Sequence, residues 1–202
     1  MSRTRNLERR DEILENAARL FAQLGFEGAS IRLIARECGI TEAAIYRYFE
    51  SKEHLFESVV RAKARAHDIE GFLVQQRKLG DVQQVLTTVA HHIHQLSRED
   101  PLLLPLMVMS SLGTHRGNDV LFCELRLPYI RFLARELSER RDAGEVKNVD
   151  PYITARCFVG MIMACALNAD QWRDFERLDL SAVTVIDNNI PIYADGLRAR
   201  PA

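Results

Sequence analysis

The sequence predicts an all-α fold, and three observations predict it. Apolar residues recur at three- and four-residue spacing along nearly the whole chain, and no alternating run is bounded by turn residues. Good N-cap residues stand just before these periodic stretches, at Ser30, Thr41, Ser51, Asp81 and Asp150. Glycines follow several of them, at Gly25, Gly39 and Gly113.

The first helix is expected over residues 6–24, where Ile13, Ala17, Leu20, Phe21 and Leu24 form one stripe and Gly25 ends it. Ser30 caps a second helix over 31–38, and Gly39 turns the chain. Thr41 caps a third over 42–49. Ser51 starts a much longer one over 52–78, with a bend expected at Gly71. Gly80 and Asp81 open a helix ending near residue 98. Pro101 opens another that Gly113 closes, and 114–118 read as a polar loop. Residues 119–141 form a helix that Pro128 should kink, because proline removes a backbone donor. Asp150 followed by Pro151 is a helix start, and the helix over 152–172 is apolar nearly all round, so it must be covered on all sides. A last helix lies within 181–197, where Pro191 is an unresolved break.

The domain division expected is 1–55 and 56–202. The long helix joins the two parts without a Gly/Ser/Pro-rich linker, as a stiff connector.

Composition bounds the function classes. The chain has 202 residues, 47% apolar and 27% charged, which is ordinary for a globular protein. A formal net charge of -1 disfavours a non-specific DNA-packaging protein, which would need many basic residues against phosphate. The first ten residues hold Arg3, Arg5, Arg9 and Arg10 against Glu8. This arm points to an anionic partner or is a solvated tail; the residues alone leave both readings open. No apolar run is long enough to span a membrane, and no signal-peptide core precedes a cleavage site, so a cytoplasmic protein is expected. Cys38, Cys123, Cys157 and Cys165 form no C-x-x-C pair and are expected as reduced core thiols. No Ser/His/Asp set, phosphate-cradling loop or metal-ligand spacing supports an enzyme or a cofactor. His91 and His94 share a helix face with His92 beside them, but no further ligands complete a metal site.

Residues 31–50 carry the most specific pattern. Two helices joined by a tight turn fit a helix-turn-helix, or else an ordinary helical hairpin. The former needs a small residue where the helices cross, met by Ala35. It needs a turn residue tolerant of positive φ, met by Gly39. It also needs flanking apolar positions, met by Ile34, Cys38, Ile40 and Ile45.

The stretch "ASIRLIARECGITEAAIYRYFESKEHLFESVV", with "ILENAARLFAQLGFEG" before it, resembles the DNA-binding domain of the TetR family of bacterial transcription regulators. The matching marks include Ala17, Leu20, Phe21, Gly25, Gly28, Ser30, Gly39, Tyr46, Tyr48, Phe49 and the run Ser51, Lys52, Glu53, and they cover residues 8–60. Further on, only length and helical character are compatible.

The resemblance implies an N-terminal three-helix helix-turn-helix DNA-binding domain, joined by a long helix to a larger helical ligand-binding and dimerisation domain. The third helix would enter the major groove, presenting Thr41, Glu42, Ala43, Ala44 and Arg47. Tyr46, Tyr48 and Lys52 would meet phosphates, and Arg32 a phosphate or base. Tyr48 is equally compatible with a packing role. The family often has Gly at Ala43 and a neutral or basic residue at Glu42. Glu42 is either a helix-start charge favoured by the dipole or an acceptor for cytosine N4.

The implied partners are a double-stranded DNA operator, a second copy of the chain, and a small apolar or amphipathic effector. Expected pocket residues are His67, Phe72, His91, His94, Leu104, Met107, Met109, Phe122, Phe158 and Trp172. The helices over 119–141 and 152–172 would form a four-helix dimer interface, with a purely intramolecular core helix as the alternative. The function expected is a homodimeric repressor of a palindromic operator, released when an effector tilts the long helix. A regulator answering to a protein partner, or to no effector, is the other reading.

Overall fold

The computed structural model describes residues 3–77, 80–103, 105–106, 119–120, 122–176 and 180–199, with backbone alone for 3–5 and 167–176. The fold is all-helical; among the described residues the one extended pairing is an isolated bridge between Val146 and Arg198.

The helices are α1 (Arg3–Gly28), α2 (Ile31–Glu37), α3 (Glu42–Tyr46), α4 (Lys52–His67), α5 (Ile69–Gln75), α6 (Val82–Glu99), α7 (Leu127–Asp142), α8 (Pro151–Glu176) and α9 (Ala182–Leu197). The chain divides into two compact units, residues 1–67 with 105–125, and residues 68–104 with 126–202.

The first unit is built on α1 to α4. The predicted caps are made: Ser30 Oγ accepts from the Leu33 amide at 3.1 Å, Thr41 Oγ1 from Ala44 at 3.2 Å, and Ser51 Oγ from His54 at 3.1 Å. Each such cap contributes about 1 kcal/mol. α1 reaches further back than residue 6, to Arg3. Its regular part stops at Gly25, whose φ of 73° is left-handed. Ile13, Ala17, Leu20 and Phe21 are buried as the stripe predicts, whereas Leu24 is 48% exposed. Phe21 meets Phe56 edge-on at 4.9 Å and stacks on Phe26 at 6.0 Å, which ties α1 to α4.

Three expectations about helix ends are corrected. α3 stops at Tyr46, so Tyr48 and Phe49 lie in the turn after it. The long helix is interrupted at Asp68 and not bent at Gly71. Asp68 is left-handed (φ 40°), and its carboxylate accepts from the Gly71 amide at 3.2 Å. A short polar side chain that bonds its own backbone is what makes this conformation tolerable outside glycine. A single stiff connector over 52–78 is therefore not formed. Around Pro128 the irregularity lies before the proline, as a π-helical turn (Phe122–Arg126), and Pro128 sits in the first turn of α7. There its missing N–H and fixed φ cost little.

The second unit holds α5 to α9. α8 packs on α7, and α9 on α6. Asp81 and Gln84 form a capping box at the start of α6. Pro191 lies inside α9 without ending it. α8 buries Ala155, Phe158, Val159, Ile162, Met163 and Cys165. Its other face is not covered: Tyr152 is 44% and Ile153 60% exposed, with Arg156, Cys157 and Ala164 beside them. Cys38 and Cys165 are buried, but Cys123 and Cys157 are exposed, so only two of the four are core thiols. The expected helix from Pro101 and the loop 114–118 lie mostly outside the described residues. No described helix is long and apolar enough to cross a membrane.

Candidate nucleic-acid interface

The turn between α2 and α3 sets the geometry of the candidate site. Cys38 ends α2, and Gly39 follows at φ 63°. The Gly39 amide donates to the Arg36 carbonyl at 3.1 Å, and the Ile40 amide to the Ala35 carbonyl at 3.0 Å. This paired closure needs a left-handed residue after the cap, which explains the glycine. Ala35 and Ile34 are buried at the crossing, Ile45 and Phe49 anchor α3 from within, and Ile40 is half-buried.

What remains of α3 faces outward. Thr41, Glu42, Ala43, Tyr46 and Arg47 are exposed, Tyr46 by 52%, and Ala44 and Tyr48 are half-buried. The Thr41 hydroxyl accepts from a helix amide and keeps its own proton to donate. Tyr48 has its ring 6.4 Å from that of Phe49, tilted by 39°. A concavity of about 700 Å³ runs between α2 and α3, lined by Ser30, Arg32, Arg36, Ile40, Thr41 and Glu42. The Lys52 ammonium lies 4.3 Å over the Phe26 ring, which fixes a cation at the start of α4. Arg32, Thr41, Glu42, Ala43, Ala44, Tyr46, Arg47, Tyr48 and Lys52 thus all belong to one unit, and Arg32 shares its concavity with Thr41 and Glu42.

Two further basic residues belong to this surface, Arg36, which the motif alone does not single out, and Arg10, expected only as part of the basic arm. Arg36 lines the same concavity with a side chain 74% exposed, four residues after Arg32 and so on the same helix face. That spacing was the available signal. Arg10, from the basic arm, holds its guanidinium 5.2 Å over the Phe49 ring. It is packed onto the helix-turn-helix, and nothing in its spacing announced this.

The expected pocket residues fall in both units and partly outside the described residues. Leu104, Met107 and Met109 lie outside the described residues, as does the side chain of Trp172. His67 and Phe122 are half-buried and belong to the first unit. In the second unit, Phe158 is fully buried, with its ring 5.1 Å from Tyr193. Phe72 stacks at 3.6 Å on His92, whose Nδ1 shares a hydrogen bond with the Tyr129 hydroxyl at 2.9 Å. Burial drives the pKa of the Tyr129 hydroxyl far above the ordinary phenol range, so it stays protonated. His91 is a surface residue paired with Asp187 at 2.6 Å. His94 has a buried Nδ1 without a hydrogen bond, and burial, then Arg98 and His91, hold its pKa low. Among the described residues no group of three or more His, Cys, Asp or Glu is placed to hold a metal.

Comparison with known proteins falls on the same segment. The family described as bacterial regulatory proteins, tetR family, matches residues 13–59. The HTH-type transcriptional repressor AcnR of Corynebacterium diphtheriae is 42% identical over 64 residues, 32% of this chain and 34% of that protein. The chain therefore matches about a third of that relative's length. Two solved structures share the fold over nearly the full chain. AibR, in complex with isovaleryl coenzyme A and operator DNA, has a TM-score of 0.71 at 23% identity, covering 91% of this chain and 97% of that one. FadR from Bacillus subtilis, in complex with stearoyl-CoA, has a TM-score of 0.71 at 19% identity, covering 92% and 97%. The matched residues are those that build the helix-turn-helix just described, and that segment is similar to the DNA-binding domain of the tetR family of bacterial regulatory proteins.

Proposed function

We propose that the chain is a transcriptional repressor that binds a palindromic operator as a homodimer and is released by a small apolar or amphipathic effector. The observation that carries this is the outward face of α3. Arg47, Tyr46, Thr41 and Glu42 are presented together, beside Arg32 and Arg36, on a helix fixed by Ile45 and Phe49. A helix so held fits a major groove, and its flanking cations fit phosphates.

A single such module reads few base pairs, so the second copy supplies the second half-site. The exposed apolar side chains Tyr152 and Ile153 on α8 and Ile192 on α9 support a subunit interface made by those two helices. Arg131, Arg135 and Glu139 on the exposed side of α7 do not favour pairing α7 with α8. AibR and FadR, with their acyl-CoA ligands, support an effector carrying an acyl chain. Such an effector releases DNA only by binding the DNA-free state more tightly.

Gel-shift competition with genomic fragments tests the reading. A preferred fragment retained at moderate salt is expected; equal competition by every fragment defeats it. On that fragment, Lys52→Ala should weaken binding to all sequences alike and reduce the salt slope by about one. An unchanged slope removes Lys52 from the phosphate contacts. Glu42→Ala is expected to leave the fragment preference unchanged, because a carboxylate in the first turn is already accounted for by the helix dipole. A changed preference at one base pair, read by selection of bound sequences, would instead make Glu42 a base contact.

A further inference from the structure

We propose that the groove between α5 and α7 binds an anionic amphiphile, an apolar chain ending in a carboxylate or phosphate. The groove is open to solvent along one side and has a volume of about 180 Å³, within the second unit. Its floor is apolar: Leu73 and Val74 from α5, Pro128 and Phe132 from α7. Val74 is 64% exposed, a large apolar side chain left in water on a wall of the groove. Two guanidinium groups, those of Arg131 and Arg135, stand one helical turn apart on the α7 wall. Both residues are exposed, and neither makes an ion pair among the described residues. Glu70 is the one carboxylate in the lining, so the rim carries a net positive charge. Beyond the groove, Arg77, just past the end of α5, pairs with Glu139 of α7 at 3.6 Å.

The magnitudes select the ligand. A pocket for a drug-sized ring system is about 300–1,000 Å³, so this groove takes one short chain and leaves the headgroup at the rim. An uncharged chain would leave both guanidinium groups without a partner. An anion satisfies them through charge-assisted, planar hydrogen bonds. The ligand class deepens the effector reading above and rests on it for any effect on DNA. Binding at the groove does not rest on it. α5 follows α4 with only Asp68 between them, so an occupant of this wall acts on the segment adjoining the left-handed break.

The test uses the full chain and calorimetric titration with decanoate, decyl phosphate and 1-decanol, each below its aggregation limit. Saturable binding of one anion is expected, with 1-decanol at least tenfold weaker. Tighter decanoate assigns a carboxylate ligand, and tighter decyl phosphate a phosphate ligand. The double variant R131Q/R135Q should lose at least tenfold in anion affinity, and V74E likewise, while Q95A on the surface of α6 should lose nothing. Both groove variants alter exposed residues, and circular dichroism checks that they fold. Equal affinity of the anions for wild type and R131Q/R135Q overturns the proposal. So does equal affinity for 1-decanol, or no binding of either anion. A change of oligomeric state in R131Q/R135Q without a change in anion affinity also overturns it, by making the groove a subunit contact. Retention of a preferred DNA fragment is measured on the same preparation: retention without anion binding defeats the groove alone, and anion binding without retention defeats the regulator reading alone.

Discussion

Phe21→Ala is expected to unfold the helix-turn-helix at ordinary temperature, or to bring it close to that point. The ring is fully buried. It stands edge-on to Phe56 at 4.9 Å and stacked on Phe26 at 6.0 Å, so one truncation empties the place where α1 and α4 meet. Large-to-small changes of this kind cost about 3–5 kcal/mol, and the lost aromatic pairs belong to that figure. Whole domains hold only about 5–15 kcal/mol, and a unit of this size sits low in that range. Urea melts followed by circular dichroism check it, together with loss of DNA retention. A change below about 1 kcal/mol would mean that Phe26 and Phe56 collapse into the space.

Arg140→Ala should be nearly as costly in the second unit, for a different reason. Arg140 and Glu136 lie one turn apart on α7, 3.6 Å between charged atoms, with side chains 10% and 3% exposed. Arg140 also reaches Glu145 at 3.0 Å, beyond the end of the helix. Removing the cation takes a close counter-charge from the Glu136 carboxylate in a place water hardly reaches, and breaking such a pair costs up to about 3–5 kcal/mol. Replacing both partners, as E136L/R140M, should be much milder, because neither charge is then buried. A double-mutant cycle in urea separates the two outcomes. If the single and double variants are equally destabilised, the pair is not what holds this stretch.

The contrast between the two units shows what the chain made legible. In the first unit nearly every decisive signal is local: Ser30, Thr41 and Ser51 each cap the helix that follows, and Gly39 closes α2. Ile45 and Phe49, four apart, share one face. Such signals act within a few residues and can be read without the fold. The break at Asp68 was missed because glycine is the usual marker of a left-handed residue, and the nearby Gly71 drew attention instead. The aspartate supplies the same conformation by bonding its own backbone. The π-helical turn before Pro128 shows a proline acting on the residues that precede it. A pocket lining is harder to read than a cap for a non-local reason. Phe72, Phe158 and His94 look alike as buried-type residues on helices, and only tertiary packing tells a core position from a lining one. Arg36 was legible, since it repeats Arg32 after four residues, but the motif drew the eye to α3.

The uneven burial of the four cysteines gives the chain a ready set of chemical handles. The thiolate is the form that alkylates, and burial raises the pKa of Cys38 and Cys165 while also shielding them. Maleimide dyes will therefore mark Cys123 and Cys157 first. Cys157 sits one turn along α8 from Ile153, on the face proposed for subunit pairing. Its labelling rate thus becomes a gauge of assembly, slow in the dimer and fast in the free subunit, with no residue having to be engineered in.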